Sequence, residues 1–378
     1  MVSFKEVVFE NKSLGVKEKM FPYYFLQFFP PVFGKLIGNK DIKRVNKIII
    51  FTFFSAFLLL LAFRDRSVGV DLKNYYIYFQ KYSLYDFKDL LYHIKTPGKN
   101  DLEAGYIILN WLISRLTDNF NYFLGIIAII SVVPVAALYY QNSEHAYLST
   151  ILFTTIGIFP MFFSGLRQIL AVSVGILAYS AAKNKKIIRF VLLVFLATLF
   201  HRTAFVLILL YPCCHLKLKK NYLIIIIPIL AVFFAFNKPI FLWLVKFIPD
   251  VGEVEIITTN AYTMLFLYLI FAIWSFAIGD ETKFDAETFG LRNILLIVVI
   301  IQMFASVNTL AMRMNYYFLP LIPLLISKII DRAKPNLQEI SVLSNVIICV
   351  FFTFYRIYSM YSSEDILQIY PYIPFWKG

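Results

Sequence analysis

From residue 48 onward the chain alternates apolar runs of near-spanning length with short clusters of basic residues. Segments 48–63, 120–140 and 261–279 contain no charged residue, and 289–307 contains only Arg292. A helix needs about 20 apolar residues to cross the roughly 30 Å hydrocarbon core of a bilayer, and runs of this kind approach that length. With 60% hydrophobic and 16% charged residues over 378 positions, the chain carries more apolar surface than one soluble core hides. Barrel strands would show alternating segments of about ten residues in place of continuous runs. The expected fold class is therefore all-α: a polytopic membrane helical bundle of about 10–12 transmembrane segments.

A net charge of +13 invites a nucleic-acid reading, but the basic residues lie mostly in short clusters between apolar runs. That is the positive-inside pattern of a membrane protein, so nucleic acid is not an expected partner. Cys213 and Cys214 are adjacent and Cys349 is remote, a spacing that offers neither a disulfide framework nor a zinc site. No metal or cofactor is expected.

Residues 1–47 hold nine Lys or Arg against four acids and lack a cleavable-signal pattern. They read as a basic cytoplasmic N-terminal extension lying on anionic lipid, with an aromatic run at 21–29 too short to span. Residues 48–378 read as the integral membrane domain, with external loops near 64–103 and 237–260. The second loop is acidic at Asp250, Glu253 and Glu255. Simple counting of spans puts Arg167 inside, whereas the basic cluster at 183–186 belongs inside itself and puts Arg167 outside. The charge rule is the stronger signal, so a segment between 105 and 164 is expected to be broken or re-entrant. The helix pair around His201 is short on both sides and is also expected to be broken at membrane depth, where only a protein-lined or watery cavity tolerates it.

In this frame Arg167, His201 and Arg313 come from three distant stretches yet fall at one face, beside a loop carrying Asp71 and Glu103. Charged residues within apolar sequence are costly and mark functional sites. An arginine presents a planar fork of donors matched to phosphate oxygens, so two suit a pyrophosphate. Ser164-Gly165 reads as a helix start whose N–H groups, with Gln168 close by, would add to an anion site. A phosphate-bearing lipid is the natural ligand. A histidine can ordinarily take a proton near neutral pH, so His201 could activate a sugar hydroxyl, as could Asp71 or Glu103. Bland readings stand beside these: headgroup snorkelling for the arginines, packing for His201, solvation for the acids. Tyr75, Tyr76, Tyr316 and Tyr317 read most simply as interfacial aromatics, although such rings also line sugar sites.

Five motifs in order carry a resemblance: Val68-Gly-Val-Asp71 with Tyr75, Glu103-Ala-Gly-Tyr106 with Asn110, Gly165-Leu-Arg167-Gln168 with Ala171, Phe200-His201-Arg-Thr-Ala204, and Arg313 with Tyr316-Tyr317. Together they resemble the EpsG family of exopolysaccharide and O-antigen polymerases, the Wzy-like proteins, over about 48–376. Valine at position 70 replaces a threonine often found there, and the N-terminal extension is longer than the family leads one to expect. The resemblance implies a metal-independent membrane glycosyltransferase of the bacterial inner membrane, facing the periplasm or exterior, with a fold resembling C-type glycosyltransferases. It would transfer a growing glycan from undecaprenyl pyrophosphate to the non-reducing end of an undecaprenyl-pyrophosphate-linked repeat unit.

Carried over by position, the resemblance implies Arg167, Arg313 and Gln168 as pyrophosphate ligands. His201 would be general base or leaving-group contact, Asp71 and Glu103 would bind acceptor sugar or supply the base instead, and Tyr75, Tyr106 and Tyr316 would contact sugar. A flippase and a chain-length regulator are the implied partners. Two rivals remain in view: a flippase or transporter of lipid-linked sugars, which would place charges along a central cavity in both leaflets, and an O-antigen ligase-type transferase, which differs only in substrate. An acyltransferase should carry a close His–Asp motif, and no histidine here has an aspartate within three residues.

Overall fold

The computed structural model describes residues 4–38, 41–96, 102–246, 262–361 and 365–377, with side chains from Met20 onward. Among these residues every named element is a helix, so the protein is an all-α polytopic membrane protein. Helices α1 (Phe4–Gly38) and α2 (Ile42–Ala62) form an antiparallel pair. Asp41 caps α2 by accepting hydrogen bonds from the Lys43 and Arg44 amides. The pair packs tightly: a Cβ on Gly34 would lie 2.5 Å from Ile49 Cγ1. Met20, Tyr23 and Leu26 are buried in the same core. Residues 20–38, expected as part of a surface-lying extension, therefore run alongside the membrane domain. The aromatic run at 21–29 is lengthened because the helix continues through Pro30 and Pro31.

Three short helices follow at the far end of α2: α3 (Leu72–Ser83), α4 (Phe87–Lys95) and α5 (Ala104–Ser114). Eleven residues of α5 rise only about 16 Å, half a bilayer core. The segment 105–116, expected as the second span, is thus too short to cross. Helix α6 (Phe120–Asn142) does return across the bundle, since the Asn46 amide donates to the Glu144 carbonyl at 2.5 Å. Helices α7 (Ala146–Thr155) and α8 (Met161–Ser164) go back toward the start of α3, with a break at 156–160. Helix α9 (Leu166–Lys183) then begins at the Asp71 end and finishes in the basic cluster. The parity conflict is resolved as expected, by one short segment and one broken one, and Arg167 lies at the end opposite the basic cluster.

Helix α10 (Ile187–Thr198) returns to that end. The chain turns at His201 and descends through a 3₁₀ segment (Arg202–Leu209) into α11 (Leu210–His215), so the pair around His201 is broken as expected. Helices α12 (Leu223–Ala235) and α13 (Asn237–Val245) meet at an 80° bend. The acids expected in the second external loop lie in 247–261, outside the described residues. Helices α14 (Thr263–Ile278), α15 (Ala286–Met303), α16 (Thr309–Asn315), α17 (Ile322–Asp331) and α18 (Gln338–Tyr361) complete the bundle.

Among the described residues four helices are individually long and apolar enough to cross a membrane, or six spans if each of two bent pairs counts as one. The expectation of 10–12 counted apolar runs, and the structure breaks several into helices of 10–17 residues. At the end opposite Asp71, ion pairs tie the helices together. Lys328 sits 3.6 Å from Glu144 and 3.4 Å from Glu287, Lys183 is 2.9 Å from Glu287, and Arg332 is 2.6 Å from Glu144. Residues 365–377 return to the Asp71 end and lie antiparallel on 63–70, the amides of Gly69 and Val70 donating to Gln368 and Leu367 carbonyls at 2.9 and 3.0 Å.

Candidate functional site

Asp71 is positioned by a glycine. Gly69 has φ +126°, and a Cβ there would lie 2.2 Å from the Phe163 carbonyl oxygen, so only glycine lets this loop approach the α8–α9 junction. Two residues on, Ser164 Oγ donates to Asp71 Oδ2 at 3.1 Å and accepts from the Asp71 amide at 3.2 Å. Tyr75 lies one turn further on the same face of α3, where its hydroxyl bonds the Arg167 side chain.

Glu103 occupies the N-cap position of α5 without capping it, which leaves its carboxylate for other partners. Oε2 accepts from Arg167 Nη1 at 2.5 Å, and Oε1 accepts from the Arg202 amide at 3.4 Å. A second glycine makes this possible. The Gly105 amide donates to the Leu199 carbonyl at 2.8 Å, and a Cβ on Gly105 would lie 2.7 Å from that same oxygen. Glu103 is thereby fastened to the turn that carries His201.

Arg167 stands in the first turn of α9, which begins directly after Gly165 as the Ser-Gly pair suggested. Its side chain is 28% exposed, while Nε is buried with no hydrogen-bond partner. The neighbouring Gln168 donates from Nε2 to the Arg313 carbonyl at 2.5 Å, which joins α9 to α16. Arg313 itself is exposed, and its guanidinium has no carboxylate partner among the described residues.

His201 is held by two hydroxyls. Nδ1 lies 2.7 Å from Thr203 Oγ1 and 3.2 Å from the Tyr317 hydroxyl, and these hydroxyls are 2.9 Å apart. Counting donors assigns the pattern: Tyr317 donates to Thr203 and Thr203 to Nδ1, which satisfies all three groups and leaves the proton on Nε2. Reversing the chain would leave the buried Tyr317 proton without an acceptor among the three. Burial pushes the imidazole down to about 4; Glu103 opposes this, and the charges of Arg167 and Arg313 add to it. His201 is therefore neutral at physiological pH, and Nε2–H is a donor.

All five charged residues singled out in the sequence, with Gln168, meet at one end of the bundle. The three tyrosines do not line an open surface. Tyr75, Tyr106 and Tyr316 are 7%, 0% and 6% exposed, and the Tyr75 and Tyr106 rings pack edge to face at 5.6 Å, backing Arg167. Sequence reasoning missed the partners of His201. Thr203 lies two residues on in the same motif, and Tyr317 passed as an interfacial aromatic beside Tyr316. Among the described residues no three His, Cys, Asp or Glu side chains come close enough to hold a metal ion.

No curated protein and no solved structure matches the chain. The model of the EpsG family matches residues 47–373, which contain every element of this site. Five ordered motifs, their convergence in space and a match over most of the length agree, and the protein belongs to the EpsG family, whose members are exopolysaccharide and O-antigen polymerase-like.

Proposed function

We propose that the protein polymerises lipid-linked oligosaccharide repeat units. The growing glycan is passed from undecaprenyl pyrophosphate to the non-reducing end of a new repeat unit, itself on undecaprenyl pyrophosphate. The observation that carries this reading is the gathering of Arg167, Arg313 and the Nε2–H of His201 around one helix start. Each is a donor suited to an anionic oxygen, and the amides at the start of α9 add the positive end of a helix dipole.

In this reading an acceptor hydroxyl attacks the anomeric carbon of the donor sugar. The bond from that carbon to the pyrophosphate oxygen breaks, and undecaprenyl pyrophosphate leaves with the electron pair. Charge grows on the leaving oxygen, where Arg313, Arg167 and His201 Nε2–H stabilise it. His201 serves as a leaving-group contact, because a neutral imidazole with its proton on Nε2 donates and does not accept there. Glu103 is engaged by Arg167, which leaves Asp71 to take the hydroxyl proton, its carboxylate met by the Ser164 hydroxyl. Tyr75 and Tyr106 hold Arg167 from behind. The site faces the exterior of the bacterial plasma membrane, the side opposite the basic cluster at 183–186, consistent with the positive-inside rule.

The test is a gel of surface glycan from a deletion strain complemented with wild type or Arg167→Ala at matched membrane level. Polymerisation requires the deletion to reduce the ladder to a single repeat unit and Arg167→Ala to leave it there. Disappearance of all surface glycan would favour export or ligation instead.

A further inference from the structure

At the end of the bundle away from the candidate site, α1, α2 and α6 enclose a groove of about 1100 Å³. Its walls are apolar, built from Phe33 and Ile37, Phe51 and Leu58, and Val133 and Ala137. Its rim is cationic: Lys43, Arg44 and Lys47, from the first turns of α2, all line it and all are exposed. The lining carboxylate, Asp41, accepts from the Lys43 and Arg44 amides and so is engaged in capping α2. An adjoining pocket of about 500 Å³ contains Glu144 and Asp331. Those acids are already paired, Glu144 with Arg332 at 2.6 Å and Asp331 with His145 at 2.9 Å. Lys43, Arg44 and Lys47 therefore have no carboxylate partner among the described residues, and the Lys47 ammonium lies over the Tyr140 ring at 5.3 Å.

Three uncompensated cations above an apolar groove at a helix end have one complementary occupant in a membrane. We propose that this groove binds an anionic glycerophospholipid, its phosphate at Lys43, Arg44 and Lys47 and its acyl chains along α1, α2 and α6. A zwitterionic headgroup would bring a second cation to a cationic rim and is disfavoured. Helix α2 has 21 residues, which places this lipid about 30 Å from the candidate site. It is a bound companion of the fold and not the glycan-bearing substrate.

Native mass spectrometry of the detergent-purified protein, offered phosphatidylglycerol or phosphatidylcholine, tests the proposal. Wild type is expected to retain phosphatidylglycerol with about tenfold higher apparent affinity than phosphatidylcholine. Lys43→Gln/Arg44→Gln/Lys47→Gln should abolish that preference. Ala137→Trp, which fills the groove without changing its charge, should lower phosphatidylglycerol retention independently. Equal retention of the two lipids by wild type overturns the proposal, as does a preference that survives the triple variant. Retention unchanged in Ala137→Trp overturns the groove as the site, and a two-copy mass that Ala137→Trp converts to one copy assigns the groove to a second copy of this chain.

Discussion

The two arginines are not equivalent. Arg167 already meets Glu103 and Tyr75, so part of its fork is occupied by the protein, whereas Arg313 presents its guanidinium without a carboxylate partner among the described residues. In the proposed reaction Arg313 is therefore the residue whose planarity matters most. Arg313→Ala should reduce polymer formation by about 10²–10³-fold, the usual effect of removing one donor from developing oxyanion charge. Arg313→Lys should recover only part of this, because an ammonium keeps the charge and loses the fork. Equal ladders for Arg313→Lys and wild type at matched protein level would show that the site reads charge alone. His201 gives a pH prediction whose sign follows from its burial. With its folded value lowered from 6.5 to about 4, the neutral ring is preferred in the fold. The stability it contributes is complete above pH 6.5 and is lost as pH falls through about 4. Polymer formation by isolated membranes should accordingly show no inflection at pH 6.5 attributable to His201. Thermal unfolding midpoints should drop between pH 6.5 and 4 by more in wild type than in His201→Gln.

At the scale of elements, the site is assembled by two glycines, Gly69 in the loop before α3 and Gly105 in the first turn of α5. Gly69→Ala forces a positive φ on a residue with a Cβ, at a cost of about 1–3 kcal/mol, and drives that atom against the Phe163 carbonyl. Gly105→Ala collides with Leu199 and separates α5 from the His201 turn. Both variants should lose polymer while Val70→Ala, beside the same loop, retains it. Loss in all three alike would mean that the loop is merely fragile. This explains what could be read in advance. Arg167, His201, Arg313, Asp71 and Glu103 were visible because a charge inside apolar sequence is conspicuous and the positive-inside rule assigns it a side. The Thr203–Tyr317 support of His201 was hidden, because a threonine and a tyrosine at a helix end look the same whether they face lipid or clasp an imidazole. The breaks within the spans were hidden because composition records where apolar residues lie and not where the helix breaks, as at 156–160. The helical course of residues 20–38 was hidden for the opposite reason: proline ordinarily signals a stop, and this helix runs through Pro30 and Pro31.

Across the whole molecule the two ends of the bundle are secured by different means. The end away from the site is held by side-chain ion pairs around the buried Lys328, far from the chemistry. Lys328→Met should lower stability by about 2 kcal/mol, since Glu144 and Glu287 keep second cations, and leave polymer length unchanged per folded protein. At the site end the loop before Asp71 is held by backbone. The carbonyls of Ile373, Gln368 and Leu367 accept from the amides of Asp65, Gly69 and Val70 at 2.8, 2.9 and 3.0 Å, and the Phe375 amide donates to Phe63 at 2.9 Å. The strap is in turn shaped by Asp365, whose Oδ2 accepts from the Tyr370 amide at 2.7 Å, and anchored by Tyr372, whose hydroxyl donates to Leu60 at 3.1 Å. Among the described residues no span lies beyond Tyr361, so a chain cut there keeps every described membrane helix while the loop before Asp71 loses its acceptors. That truncation should insert at normal level yet fail to extend glycan, with loop 64–71 becoming sensitive to protease added from the site side. Asp365→Ala, which leaves every helix and the strap backbone in place, should reproduce the defect in milder form. A normal ladder from the truncated chain would mean that Asp71 is positioned by Ser164 alone and that the strap only covers it.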